Sequence, residues 1–290
     1  MNKNKIKKIM SIAMTVVLLT MGIQGCGNNS TVQSGSKVNE VQDINNAPVD
    51  ITIMDIGKAD CILIKLQDKA IMIDTGLNKT GNEVLDELKE NNINTLDYLI
   101  LTHMDKDHIG GADKVIDNIN IYNLIQADYV KESKQYNQYE ESIKEKNITP
   151  ILLHEKITTE INGAEINIYP AQKNYYEKSN DYSIIVELKY GEYSFLFAGD
   201  AEDERIKEFV SSNNNKYTFI KIPHHGRYND MSEELIKSTS PSYAAITCSE
   251  EEMPNDKMID ILKKYNVKTY LTSDGEIEIK TDGKDISFNR

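Results

Sequence analysis

An apolar run, Leu96, Tyr98, Leu99, Ile100 and Leu101, breaks off into Thr102-His103-Met104-Asp105-Lys106-Asp107-His108-Ile109-Gly110-Gly111. A short run of this kind, carrying tyrosine and isoleucine, reads as a buried strand. Residues 113–119, beyond the two glycines, have helical spacing. The chain must therefore pass from strand to helix through a loop crowded with two imidazoles and two carboxylates. Loops held by a rigid scaffold are where metal-binding and catalytic groups concentrate. Imidazole with carboxylate suits a divalent cation that activates water. A solvated acidic turn does not account for two of the chain's five histidines lying within six residues.

The same pattern returns twice. Phe195-Leu196-Phe197-Ala198-Gly199 delivers Asp200 at a strand end, and Phe219-Ile220-Lys221-Ile222-Pro223 delivers His224-His225-Gly226. Alone, an aspartate there is usually a helix cap, and the histidine pair is a weaker signal still. Together with the first loop they commit four of five histidines to three strand ends. His154, in Leu153-His154-Glu155, stands apart and reads as an ordinary surface residue.

Between these points strands and helices alternate. Ile51, Ile53 and Ile56 open one strand. Residues 62–66 and 70–73 form two more, the second ending at Asp74-Thr75-Gly76. Helical spacing marks residues 82–91, 201–210, 232–238 and 256–265. A tyrosine-rich helical segment spans 130–146. Alternation predicts strands around 122–125, 166–168, 184–188, 195–197, 217–222, 243–247, 267–271 and 277–279, with a hairpin at Tyr190-Gly191-Glu192. Antiparallel hairpins mixed with helices imply an α/β (α+β) fold, two mixed sheets packed face to face with helices outside. Residues 48–290 read as one domain.

The N-terminus is of another kind. Lys3, Lys5, Lys7 and Lys8 precede an apolar stretch over residues 9–21, short for a bilayer span, and Ile23-Gln24-Gly25-Cys26 closes it. Residues 1–25 are predicted to be a lipoprotein signal peptide, because the closing tetrapeptide resembles a lipobox, with Gln24 in place of a smaller residue. Cys26 would then be lipidated, and residues 26–47, without periodicity, would form a tether. The expected location is extracytoplasmic, anchored to membrane lipid through Cys26. Cys61 and Cys248 lie among apolar strand residues and read as buried free thiols, with a disulfide between them as the alternative in an oxidising compartment. Net charge is −13, and loss of the four leader lysines makes it −17. Such a body gains nothing from counterion release on nucleic acid unless a local basic patch or a bound metal reverses the field.

In order and spacing, six segments resemble the metallo-β-lactamase superfamily, most closely the hydrolase domain of ComEC-type competence proteins. They are Met54-Asp55-Ile56-Gly57-Lys58-Ala59-Asp60, Ile73-Asp74-Thr75-Gly76, the loop over 102–111, Asn180-Asp181-Tyr182-Ser183, the run ending at Asp200, and Ile222-Pro223-His224-His225-Gly226. The resemblance implies an αββα four-layer sandwich and two divalent cations, Zn²⁺ or Mn²⁺. It implies His103 and Asp105 on the first cation, Asp107 and His108 on the second, Asp200 bridging them, and His224 completing the second site. His225 would support catalysis from behind or exchange roles with His224. Asp107 would also orient or accept a proton, and Asp74 would hold the loop without being a ligand.

Four positions depart from the family pattern. Asp105 stands where histidine is common, and Asn180 to Ser183 offer no further histidine. An oxygen-rich first site favours Mn²⁺ or Mg²⁺ over Zn²⁺. Lys58-Ala59 replaces Gln-Gly, and Met253-Pro254 replaces His-Pro. The implied function is a metal-dependent phosphodiesterase or nuclease concerned with DNA uptake or processing. Two alternatives stand beside it: a hydrolase of a small or cell-envelope phosphoester, and a degenerate surface binding module.

Overall fold

The computed structural model describes residue 44 and residues 46–290. The predicted signal peptide, Cys26 and most of the tether lie outside the described residues. In chain order the elements are β1 (Val49–Ile53), β2 (Ile62–Leu66), β3 (Lys69–Ile73), α1 (Gly81–Glu90), β4 (Thr95–Leu101), α2 (Ala112–Asn118), β5 (Asn120–Gln126), α3 (Lys134–Glu145) and β6 (Ile151–Leu152). There follow β7 (Ile157–Ile161), β8 (Ala164–Tyr169), β9 (Ile185–Tyr190), β10 (Tyr193–Phe197), α4 (Asp203–Ser212), β11 (Phe219–Lys221) and α5 (Ser232–Thr239). The chain closes with β12 (Tyr243–Ile246), α6 (Asp256–Lys264), β13 (Lys268–Leu271), β14 (Ile277–Thr281) and β15 (Ile286–Asn289).

The strands form two mixed sheets, ordered β15-β14-β1-β2-β3-β4-β5-β6 and β13-β12-β11-β10-β9-β8-β7. Side-chain alternation along each strand builds the layers. In β2 and β3, Ile62, Ile64, Ile71 and Ile73 enter the core between the sheets, where they join Phe195, Phe197 and Phe219 of the second sheet. Their neighbours Leu63, Ala70 and Met72 face the other way, onto Val84, Leu88, Val115 and Tyr139 from α1, α2 and α3. On the second sheet Leu196, Ile220, Ala244 and Ile246 face outward to Ile206, Ile236 and Leu262 of α4, α5 and α6. The four-layer αββα sandwich expected from the sequence is thus the fold.

Two strands carry no sequence signal of burial. β7 is an edge strand with no buried residue, and β6 is a two-residue bridge with both residues exposed. The tyrosine-rich segment is helical only from Lys134. Residues 127–133 are a loop between β5 and α3, and this loop matters below. Among the described residues no helix is long and apolar enough to cross a membrane.

Strands β3, β4 and β5 run parallel, as do β10, β11 and β12. Parallel sheets gather functional loops at the carboxyl ends of their strands. Here Asp74 follows β3, the loop over 102–111 follows β4, Asp200 follows β10, His224 and His225 follow β11, and Thr247 follows β12.

Candidate metal centre

The loop after β4 is folded hard onto the loop after β3. Thr75 N–H donates to the His108 carbonyl at 2.7 Å, and Asp60 N–H donates to the Asp107 carbonyl at 3.1 Å. A Cβ on Gly110 would lie 2.4 Å from the Asn78 nitrogen, and one on Gly111 2.5 Å from the Thr75 oxygen. Only glycine permits that approach. Asp74, fully buried, accepts from Thr102 N–H at 2.8 Å, from Thr102 Oγ1 at 2.7 Å and from His108 Nδ1 at 2.7 Å. These three bonds tie the end of β3 to the loop after β4.

The bond to a carboxylate fixes the His108 tautomer. Nδ1 keeps its proton on Asp74, so it is Nε2, facing inward, that offers a lone pair once the imidazolium gives up its other proton. His225 is fixed by a relay. Its Nδ1 lies 2.9 Å from Thr247 Oγ1, and that hydroxyl donates to Asp60 Oδ1 at 2.6 Å. Thr247 must then accept from His225 Nδ1–H, and again Nε2 is free. For His103, Nδ1 sits 3.2 Å from Thr102 Oγ1, whose proton goes to Asp74.

The inward atoms converge. Asp107, His108, Asp200 and His225 each offer a ligand atom, all within 4.8 Å of one another. Asp200 Oδ1 is 3.3 Å from His108 Nε2, and Asp200 Oδ2 is 3.4 Å from His225 Nε2, which is also 3.5 Å from Asp107 Oδ2. Yet Nε2 of His103, His108 and His225 and Oδ1 of Asp200 are buried with no hydrogen-bond partner. Buried polar atoms are normally satisfied, so three orphans in the convergent cluster, with His103 Nε2 a fourth on the ring beside His108, call for an explanation. A divalent cation is the group they fit.

Charge in the metal-free cluster follows from burial and proximity. Burial disfavours the His108 cation, but the carboxylates of Asp200 and Asp74 outweigh it and hold the pKa well above its ordinary value. Burial likewise opposes His225⁺, while Asp200 and Asp107 raise its pKa. For His103 the balance reverses: burial and the neighbouring His108 outweigh Asp200, Asp105 and Asp74 and push it down to about 4. Burial would raise Asp200, yet His225 and His108 hold it well below the usual carboxylate range.

Two expected ligands lie elsewhere. His224 does not complete the cluster. Both histidines adopt left-handed backbone, φ 50° and 52°, and the turn throws their rings 6.4 Å apart. His225 goes inward, whereas His224 meets Glu202 Oε1 at 3.3 Å and Asn180 Nδ2 at 3.3 Å on the cavity wall. Asp105, expected beside His103, is taken by protein donors. It forms an ion pair with Lys131, and Ser179 Oγ lies at 3.4 Å. The Tyr129 hydroxyl bonds to it as well. His154 is exposed, 3.5 Å from Asp128, and is not among the residues lining the cavity with Asp107, Asp200 and His224.

Three supporting residues escaped the sequence reading. Lys221 occupies a β11 position whose alternation assigns it, with Phe219, to the inter-sheet core. It is fully buried, paired with Asp60, and 3.8 Å from Asp200 Oδ1. A lysine on a core-facing strand position was the available signal. Asp60 and Thr247 gave none beyond the segment in which Asp60 stands. Over the cluster opens a cavity of about 610 Å³, with Lys58, Lys106, Lys178 and Arg227 in its walls.

The sequence matches the metallo-beta-lactamase superfamily over residues 54–249, and the chain belongs to it. It is 24% identical to ComE operon protein 3 of Bacillus subtilis over 246 residues, 77% of this chain and 32% of that protein. Recombination protein 2 of Haemophilus influenzae is 24% identical over 223 residues, 74% of this chain and 26% of the relative. The chain thus spans about a third or less of these curated relatives. In structure it is similar to the metallo-beta-lactamase fold protein YhfI from Bacillus subtilis, with a TM-score of 0.53 and 11% identity over 77% of this chain and 96% of the other. Family and centre together define a metal-dependent hydrolase.

Proposed function

We propose that this hydrolase is a phosphodiesterase, held at the cell surface through Cys26, that cleaves a DNA strand. The observation that carries the reading is the set of orphaned donors beneath a cavity with cations in its wall. Lys58 and Lys178 are partly neutralised by Glu252 and by Glu202 and Asp203. Lys106 and Arg227, both exposed, remain to meet phosphate oxygens. The name of Recombination protein 2 supports DNA as the substrate.

A divalent cation bound by Asp107, His108, Asp200 and His225 supplies Lewis acidity toward a phosphoryl oxygen and water. The protein's own groups do the rest. Asp74 and the Thr247–Asp60 relay keep the imidazoles aimed and in the right tautomer. Asp107, half-exposed at the cavity, can accept a proton from an attacking water. His224, held by Asn180 and Glu202, is placed on the cavity wall to hydrogen-bond the substrate. A second cation, which the fold usually provides, would be held by His103 with Asp105 and Asp200 and would make the centre dinuclear, with Mn²⁺ favoured by those oxygen donors.

The net charge of −13 supports a second reading, a small or cell-envelope phosphoester as substrate. One experiment separates them: cleavage of single-stranded DNA, double-stranded DNA and bis(p-nitrophenyl) phosphate by the detergent-purified chain with Mn²⁺, Mg²⁺ or Zn²⁺. Turnover of DNA that falls steeply with salt supports the nuclease reading. Turnover of the small diester alone supports the other, and inertness toward all of them leaves a binding module. For the anchor, Cys26→Ser should release the protein from membranes, since two acyl chains hold stably where one does not. Mass spectrometry finding an unmodified Cys26 in the mature protein would count against it.

A further inference from the structure

Lys131 comes from the loop between β5 and α3, not from the metal-binding loops. Tyr129 anchors that loop: its hydroxyl accepts from Met104 N–H at 2.7 Å, and its ring stacks on Tyr182 with centroids 4.3 Å apart. The anchor brings the Lys131 ammonium onto Asp105 and within 3.3 Å of Ser179 Oγ. Asp105 is thereby the one acid of the loop whose charge is met by a lysine, from outside the histidine cluster. Beside it His103 stays a bare donor, its Nε2 buried and unpartnered, its ring 4.0 Å from that of His108.

We propose that Lys131 is a built-in competitor for the second cation. Its ammonium holds Asp105, so the resting protein keeps one divalent ion tightly and admits another beside His103 only when Lys131 leaves. The inference rests on the reading of Asp107, His108, Asp200 and His225 as the tight site. The physical reason is electrostatic. An incoming ion must separate Asp105 from a fixed positive charge, and then sit near that charge, at a half-buried place where screening is weak. An ammonium and a metal ion cannot share one carboxylate at that range without mutual repulsion.

The test is metal binding, read by calorimetric titration and native mass spectrometry with Mn²⁺ and with Zn²⁺. Wild type should take one ion tightly and a second at least about tenfold more weakly. Lys131→Met should tighten the second ion by about tenfold or more. Lys131→Arg, which keeps the charge, should behave as wild type. Adding Asp105→Asn to Lys131→Met should cancel the gain, which identifies Asp105 as the contested ligand. The Lys131 side chain is partly exposed, so its truncation opens no core cavity. Lys131→Gln provides a second neutral variant. Two equally tight ions in wild type, or an unchanged second affinity in both neutral variants, overturns the proposal. No tight ion at all overturns it together with the metal-centre reading. One tight ion and a Lys131-dependent second, in a protein that cleaves no diester, upholds it while the phosphodiesterase reading falls.

Discussion

The two halves of the centre are built on opposite principles. Around Asp107, His108, Asp200 and His225, every outward-facing nitrogen is tied back by a hydrogen bond, and every inward-facing one is left without one. Around His103 and Asp105 only the imidazole is bare, and the carboxylate is already satisfied by Lys131, Ser179 and Tyr129. Readiness for an ion therefore depends less on which ligand types are present than on what the ligands are doing beforehand. A carboxylate with three protein donors is a poor vacancy even when it stands in the right loop.

Removing the carboxylate at the middle of the ready half is the severest way to break this contrast. Asp200→Asn takes away a carboxylate lying against both His108 and His225, and turnover should fall by about 10³-fold or more, the scale of loss when groups that act as a unit are disabled. Normal turnover in that variant would show that the reaction is centred elsewhere. His154→Ala serves as the matched control and should leave the rate unchanged.

Next in size is the buried pair behind the ready half. Lys221→Met takes the lysine partner from the buried Asp60 carboxylate and leaves it the Thr247 hydroxyl and the His225 ring at 3.6 Å, which should cost up to about 3–5 kcal/mol of stability. Chemical denaturation measures the loss, and Lys221→Met with Asp60→Asn should recover much of it. If the single variant is as stable as wild type, the pair contributes no more than space filling.

A smaller effect sharpens the role of the tautomers. Thr247→Val keeps volume but removes the acceptor for His225 Nδ1, and affinity for the tight ion should drop about 10- to 100-fold. Affinity for the weaker ion should hardly change, because His103 is oriented through Thr102 instead. Equal losses for both ions would mean that the halves are not independent.

The gentlest contrast is in pH. His108 and His225 have pKa values raised by carboxylates despite burial, so the ready half must shed protons to bind its ion. His103, at about 4, is already neutral. Calorimetry in buffers of different ionisation heat should find proton release with the tight ion and little with the weak one. The metal-free fold should respond too. Protonated His108 stabilises it fully below pH 6.5, and that contribution fades as pH rises through its higher folded value. Asp200, whose folded value is depressed, contributes above pH 3.8 and is lost as pH falls toward that folded value. Metal-free protein should therefore weaken at both edges, as thermal melts across the range would reveal.

Much of this was legible in the chain because apolar runs end where chemistry begins. The strand before His103, the run into Asp200 and the run into His224-His225 each announce themselves by composition and alternation. What was not legible depends on backbone geometry and on contacts between distant segments. Two consecutive left-handed residues decide which histidine turns inward, and two identical side chains in a row carry no mark of that choice. Lys131 reaches Asp105 across 26 positions from a tyrosine-anchored loop whose sequence reads as continuous helix. The edge strand β7 was missed for a simpler reason: its inward face is only half-buried, and Ile157 and Ile161 at its two ends are too sparse an apolar signal.

Lys221 and Asp60 have a consequence for how the molecule lives through metal starvation. Asp60 precedes β2 in one sheet and Lys221 ends β11 in the other, so their contact is a strut across the sandwich. A metal ion in the centre would clasp the same two sheets, and ligand binding of this kind adds about 2.7 kcal/mol at a hundredfold excess over Kd. The strut does not depend on the ion. Stripped by a chelator, the sandwich keeps its own cross-brace, and the bare imidazoles stay in place for the next ion that arrives.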